Sequence, residues 1–112
     1  MKTIIVNIPT IEQVTFKVTC HEEHIPIKGN YIVSGDDYDR EQEQLLLKEL
    51  EYNEWAWCCI KVTAEYKGLK ECDYLGGCSY DSEEDFKNCG YYEDMKATAY
   101  SRLIERLEDF AQ

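Results

Sequence analysis

Residues 53–94 read NEWAWCCIKVTAEYKGLKECDYLGGCSYDSEEDFKNCGYYED. Apolar side chains occupy every second position from residue 56 to 66, which is the period of a β-strand with one buried face. Gly68 predicts a hairpin turn after this strand, and residues 71–80 form the return strand. Within the return strand, Gly76-Gly77 predicts a β-bulge or a close approach of another backbone. The stretch therefore predicts an antiparallel hairpin.

Two main helices are predicted, one before and one after this hairpin. Ser82 and Asp85 have the spacing of a capping box, in which Asp85 accepts the backbone N–H of Ser82. A short turn then leads to a terminal helix over residues 91–110. Its buried stripe, at spacings of three or four, consists of Tyr92, Met95, Ala99, Leu103, Leu107 and Phe110. The earlier helix, residues 37–51, is indicated by leucines at helical spacing: Leu45, Leu46, Leu47 and Leu50.

The N-terminal third of the sequence predicts extended structure. Residues 3–8 and 31–33 read as short strands, and residues 14–20 alternate between apolar and polar side chains. We therefore expect a single α+β domain over residues 1–112. In this domain an antiparallel sheet of three to five strands packs against two main helices, one central and one C-terminal.

The composition is strongly acidic. The 112 residues contain 12 Lys and Arg against 23 Asp and Glu, a formal net charge of −11. No run of about 18 apolar residues occurs, so no membrane partner is expected. The apolar start at residues 4–8 is too short for a signal peptide. We therefore expect a cytoplasmic protein whose six cysteines are mostly free thiols.

The sequence shows no recognisable catalytic constellation. A nucleophilic cysteine needs a neighbouring histidine or a positive field, and the best candidate, Cys78, lies among carboxylates instead. The Gly76-Gly77 segment is followed by Glu83 and Glu84, which would repel a phosphate. We expect no enzymatic activity, no cofactor and no bound metal. The alternative is a small zinc- or thiol-dependent protein that uses a cysteine and histidine cluster, Cys20, His21, His24, Cys72 and Cys78.

The acidic residues are the strongest functional clue. Eight carboxylates occur in residues 36–54 and eight more in residues 71–94. A continuous negative surface would speed association with a basic protein, whereas the simpler interpretation is a solvated acidic surface that keeps the protein soluble. Trp55 and Trp57 are predicted to share a strand face and to act as interface anchors. The predicted partner-binding residues are Asp36, Asp37, Asp39, Trp55, Trp57, Glu83, Glu84, Asp85, Glu93 and Asp94.

The order helix, strand, strand, helix also occurs in double-stranded-RNA-binding domains. Such domains present basic side chains to phosphates, whereas the corresponding segments here are acidic. The sequence therefore disfavours direct nucleic-acid binding, and the expected partner is a basic protein. A homodimer joined through an exposed sheet edge, acting as an accessory protein in replication or assembly, is a further alternative.

Four segments resemble a known group of proteins: IPIKGNYIVSGDDYDREQEQ, NEWAWCCIKVTAEYKG, YLGGCSYDSEEDF and GYYEDMKATA. They are similar to small accessory proteins, themselves without an assigned activity, of bacteriophages, plasmids and other mobile elements of bacteria. The resemblance implies an accessory product of mobile DNA in a bacterial host cell. By analogy of class, we expect an inhibitor of a host nucleic-acid-handling defence, such as a CRISPR effector or a restriction nuclease, that occludes the basic channel electrostatically.

Overall fold

The structure is a computed structural model that describes residues 7–27 and 37–110. Its strands are β1 (Thr15–His21), β2 (Cys58–Tyr66) and β3 (Leu69–Cys78). Its helices are α1 (Asp37–Leu50), α2 (Glu83–Lys87) and α3 (Gly90–Phe110). The strands form one antiparallel sheet in the order β1-β2-β3. This architecture confirms the predicted small α+β domain with an antiparallel sheet and two long helices.

Two of the predicted N-terminal strands fall largely outside the described residues. The structure does not describe residues 3–6 or residues 31–33, and residues 7 and 8 are not in a strand. The strand predicted at residues 14–20 corresponds to β1 with its ends displaced by one residue. Boundary differences of this size are within the ordinary uncertainty of element ends.

A two-residue turn joins β2 to β3. Tyr66 pairs with Leu69, so the loop consists of Lys67 and Gly68 alone. Their φ angles are 51° and 83°, and positive φ at both loop residues gives the turn whose twist matches the twist of the two strands. The hairpin predicted at Gly68 is confirmed.

A β-bulge interrupts the far end of this hairpin. Ile60 pairs with Leu75 but Cys58 pairs with Cys78, so β3 contains one more residue than β2 over this interval. The extra length is accommodated at Gly76-Gly77, as predicted, and Gly77 has a φ of +64°. This left-handed conformation disfavours any residue with a Cβ atom.

The hydrophobic core lies between the sheet and α3. Alternate residues of β1 and β2 point toward the helix, and the buried ones are Val18, Cys58, Ile60, Val62 and Ala64. The buried residues of α3 recur every four positions: Met95, Ala99, Leu103 and Leu107. Burial of each large aliphatic side chain contributes about 1.5–3 kcal/mol. Phe110, predicted as the end of this stripe, is 53% exposed, so the buried stripe ends at Leu107.

Phe86 of α2 is the centre of an aromatic cluster. Its side chain is fully buried, and its ring packs against the rings of Trp55, Tyr80 and Tyr92 at centroid distances of 6.4, 5.2 and 5.8 Å. Ser82 caps α2 by accepting the backbone N–H of Asp85 at 3.1 Å. The Asp85 carboxylate accepts the N–H of Asp81, not of Ser82, so only half of the predicted capping box forms.

α1 packs against the residues that precede β2 through a small apolar cluster. Leu46 is buried with Ala56 and Trp57, and Leu50 borders this cluster. The neighbouring Leu45 and Leu47 are exposed. The predicted helix is therefore confirmed, ending one residue earlier than expected, but not all of its leucines are buried.

Candidate functional site

The side of the sheet turned away from α3 presents a regular array of polar side chains. We call it the open sheet face. The strand register aligns its residues in rows across the sheet, namely Thr15, Glu65 and Lys70, then Lys17, Thr63 and Cys72, then Thr19, Lys61 and Tyr74, and finally His21 and Cys59. A shallow groove of about 250 Å³ runs over this face.

The open sheet face is basic although the chain is acidic. Its lysines are Lys17, Lys61 and Lys70, against the single carboxylate of Glu65. Glu65 lies 3.9 Å from the Nζ atom of Lys70, and this exposed pair is weak. The other two carboxylates of the strands, Glu71 and Asp73, lie at the alternate positions of β3. The strand pairing therefore separates the charges by side.

The acidic residues predicted near the hairpin lie on the two C-terminal helices. We call Glu83, Glu84, Asp85, Glu93 and Asp94 the acidic helical surface. All five are exposed. Glu83, Glu84, Asp85 and Glu93 lie in the first turns of α2 and α3, and Asp94 follows directly after the first turn of α3. Such positions also favour carboxylates because the amino end of a helix carries partial positive charge.

The carboxylates of the acidic helical surface differ in the ion pairs and hydrogen bonds that they make. Lys87 pairs with Glu83 and Lys96 pairs with Glu93, each at 3.1 Å. Asp85 is held by the N–H of Asp81. Among the described residues, Glu84 and Asp94 have no ion pair. These two carboxylates therefore present the least compensated charge.

An aromatic recess adjoins the acidic helical surface. It has a volume of about 270 Å³ and is lined by Tyr80, Cys89, Gly90, Tyr91 and Asp94. Tyr91 is 58% exposed, whereas the Tyr80 hydroxyl hydrogen-bonds with the Cys89 thiol at 3.3 Å. Burial, followed by this hydrogen bond, raises the pKa of Tyr80. A cationic side chain in this recess can contact the ring of Tyr91 and the carboxylate of Asp94 at the same time.

The remaining predicted acids lie on or before α1. Asp36 lies outside the described residues. Asp37 and Asp39 are in the first turn of α1, and their side chains are not among those described. Their part in an acidic surface therefore stays a prediction.

The prediction that Trp55 and Trp57 share a strand face is wrong. Residues Glu54–Ala56 form a 3₁₀ turn, and the Asn53 side chain caps it by accepting the N–H of Trp55 at 3.1 Å. β2 therefore begins only at Cys58. Trp55 is half-buried and stacks on Phe86. Trp57 is only 6% exposed and packs near α1. The two indoles therefore pack in separate clusters.

A segment that the sequence did not single out covers Trp57. The indole Nε1 donates to the carbonyl oxygen of Ile25 at 2.8 Å. The Glu23 carboxylate accepts the N–H groups of Ile25 at 2.9 Å and of Gly77 at 2.7 Å. Burial alone would raise the pKa of Glu23, but these backbone donors lower it. Glu23 therefore ties the segment after β1 to the bulge in β3.

Comparison with known proteins adds no match. No protein-family model matches the chain, and no curated protein or solved structure is significantly similar to it.

The cysteine and histidine residues do not form a metal site in the described part of the chain. No three His, Cys, Asp or Glu side chains are placed there to hold a metal ion. Cys72 and His21 lie on the open sheet face, whereas Cys20 and Cys78 lie toward the core. The residues proposed as a cluster are thus divided between two sides of the sheet.

The buried thiols are poor nucleophiles. The Cys78 thiol donates to the carbonyl oxygen of Leu75 at 3.2 Å. Burial, and then the nearby Cys59 and Glu23, raise its pKa to about 11. Burial also raises the pKa of Cys58, and its hydrogen bond with Cys20 acts in the same direction. A thiol needs a lowered pKa to react as thiolate near neutral pH, so these side chains are suited to packing.

No helix in the described ranges, residues 7–27 and 37–110, is both long and apolar enough to cross a membrane.

The residues of the acidic helical surface were predicted from the sequence, whereas the open sheet face was not. Its signal was visible as Thr-Lys-Thr at residues 15–19 on alternate positions and Lys61 with Thr63 in β2. The strand register was needed to place these side chains together.

Proposed function

We propose that this protein is a non-enzymatic binding module whose acidic helical surface docks on a basic protein. The observation that supports this proposal is the exposed carboxylate of Asp94 beside the exposed ring of Tyr91 in the recess next to α3. A lysine or arginine of the partner can place its cation against both groups. Glu84 and Glu93 add longer-range attraction.

The partner class is a nucleic-acid-binding protein, whose channel must be basic to hold phosphates. The resemblance to accessory proteins of mobile elements favours a host defence effector, a CRISPR effector or a restriction nuclease. The module would act by occluding that channel. Such a role requires no bond to be made or broken by the module itself.

The test compares two triple variants that remove the same charge. Glu84→Gln/Glu93→Gln/Asp94→Asn neutralises three members of the acidic helical surface. Glu105→Gln/Glu108→Gln/Asp109→Asn neutralises three exposed carboxylates near the other end of α3. Because both variants have the same net charge, a difference between them reports position and not total charge.

The tagged protein and both variants are used to capture partners from a bacterial host lysate, and a recovered protein is then purified and titrated by calorimetry. We expect nanomolar to micromolar binding that weakens with salt, because exposed charges are screened beyond about 10 Å at 0.1 M. The first variant should lose at least tenfold in affinity and the second less than threefold, with unchanged circular dichroism. Equal affinity of the two variants for the partner would contradict the proposal.

A further inference from the structure

The open sheet face differs in kind from the acidic helical surface. It lies on the other side of the sheet from α3, and its three lysines face one carboxylate. Lys17 is exposed and has no ion pair among the described residues, and the Lys70 side chain is 63% exposed. A chain with a net charge of −11 thus presents a locally positive surface.

The side chains between the lysines are hydrogen-bond donors. Thr15 and Thr63 border the groove together with Lys17. Thr19 hydrogen-bonds through its hydroxyl with the Nε2 atom of His21 at 2.7 Å. Hydroxyls and ammonium groups are the side chains that commonly contact phosphate oxygens. The core of a protein–protein interface is usually more apolar than its rim, and among the described residues the groove has no large aliphatic side chain.

Tyr74 presents an aromatic ring beside the lysines of the open sheet face. Tyr74 is 56% exposed and lies opposite Lys61 in the strand register. The Nζ atom of Lys61 is 5.6 Å from the ring centroid. An exposed ring next to a cationic groove is the arrangement on which unpaired bases stack while the backbone follows the cations.

We propose that the open sheet face binds a single-stranded nucleic acid. Lys17, Lys61 and Lys70 contact the phosphates, and Tyr74 stacks on one base. Single strands are specified because bases within a duplex are stacked on each other and cannot stack on Tyr74. Charge summed along sequence segments disfavours direct nucleic-acid binding, whereas the strand register separates the charge by side. This inference is independent of the proposed partner protein.

The first test measures binding of fluorescein-labelled single strands of about 12 thymidines or uridines, a length within the range of single-strand sites. The readout is fluorescence anisotropy at low salt. We expect saturable binding whose logarithmic salt dependence has a slope near −2, since each phosphate contact on a single strand contributes about −0.7. Absence of saturable binding to both oligonucleotides would overturn the proposal.

Matched variants identify the surface. Lys17→Ala/Lys61→Ala should lower the affinity at least tenfold, whereas Lys48→Ala/Lys87→Ala, which removes two exposed cations elsewhere, should lower it less than threefold. Tyr74→Ala should lower the affinity roughly fivefold to hundredfold, the range for a lost base stack. Tyr52→Ala, at a tyrosine that is 82% exposed and lies outside the three strands, is its control. Equal losses in test and control variants would overturn the assignment.

Two competitors separate this ligand from other polyanions. Unlabelled duplex of the same length and polyglutamate should each compete at least tenfold less well than the unlabelled single strand. If polyglutamate competes equally and Tyr74→Ala has no effect, the face binds acidic polypeptides and the proposal is wrong. A preference for the duplex would likewise contradict a role of Tyr74 in base stacking.

Discussion

Arg102 donates from its guanidinium to the backbone carbonyl oxygen of Cys72 at 2.7 Å. One turn later, Arg106 donates to the carbonyl oxygen of Lys70 at 3.1 Å. Both carbonyls belong to the outer edge of β3, because β3 pairs only with β2 among the described strands. The same guanidinium groups contact Asp73 and Glu71. α3 therefore covers the sheet edge as well as the core, and a covered edge resists pairing with other chains.

Removing both guanidinium groups should uncover this edge. Arg102→Ala/Arg106→Ala is expected to lower the free energy of unfolding by about 1–2 kcal/mol, because the lost hydrogen bonds are charge-assisted but solvent-exposed. Urea unfolding followed by circular dichroism measures this change. Light scattering should also show more self-association than in a Lys48→Ala/Lys87→Ala control. Equal self-association of the two variants would show that these arginines do not protect the edge of β3.

A matched pair of phenylalanines tests the end of the buried stripe. Phe86→Leu should destabilise the protein by about 1–3 kcal/mol, because its fully buried ring fills the aromatic cluster. Phe110→Leu should change stability by less than about 0.5 kcal/mol, since the side chain is 53% exposed. Thermal and urea unfolding provide both values. A comparable loss at residue 110 would mean that the stripe continues to the end of α3.

The glycines at residues 77 and 90 have opposite backbone requirements. Gly77→Ala should cost roughly 1–2 kcal/mol, because φ is +64° and a Cβ atom is disfavoured there. Gly90 begins α3 and has open space around a Cβ atom. Gly90→Ala should therefore stabilise the protein by up to about 1 kcal/mol. The two unfolding free energies should move in opposite directions, and a neutral Gly77→Ala would argue against the bulge conformation.

Glu23 should make stability depend on pH. Backbone donors overcome the effect of burial and lower its pKa in the folded protein below the ordinary value of 4.5. The carboxylate therefore stabilises the fold above pH 4.5, and this contribution is lost as the pH falls through that value toward the folded-state pKa.

The corresponding measurement compares the unfolding free energies of the protein and Glu23→Gln at several pH values. The difference should be largest near neutral pH and should narrow in acid. Glu22→Gln removes a neighbouring exposed carboxylate and controls for the general effect of charge. A difference that is constant from neutral pH to acid would show that the Glu23 hydrogen bonds do not depend on ionisation.

Periodicity in the sequence was sufficient to predict a strand or helix that is buried on one face only. The alternation after Cys58 and the repeat through Leu103 both follow from burial on one side, and both were predicted correctly. The turn at Gly68 and the bulge at Gly77 were predicted because their backbone conformations disfavour most other residues. These features depend on neighbours in the sequence and so can be read from it.

Features that depend on tertiary contacts were not accessible in this way. The side-chain amide of Asn53 donates hydrogen bonds to the carbonyl oxygens of Tyr80 and Asp81. These bonds hold Asn53 in place at the start of the 3₁₀ turn that contains Trp55. No periodic pattern signals such a contact between distant segments. The open sheet face was missed for a related reason, since its lysines come from three strands and only the pairing register brings them together.

The separation of charge across the sheet gives the described part of the molecule an electric dipole. Three lysines lie on one side of the sheet and the exposed carboxylates of α2 and α3 lie on the other, so the side with the lysines is the less negative of the two. A polyanion approaching the protein is therefore turned toward the strands, and a polycation toward the helices, before any contact forms. Orientation during diffusion would thus select between two kinds of ligand, although the net charge alone would favour only one of them.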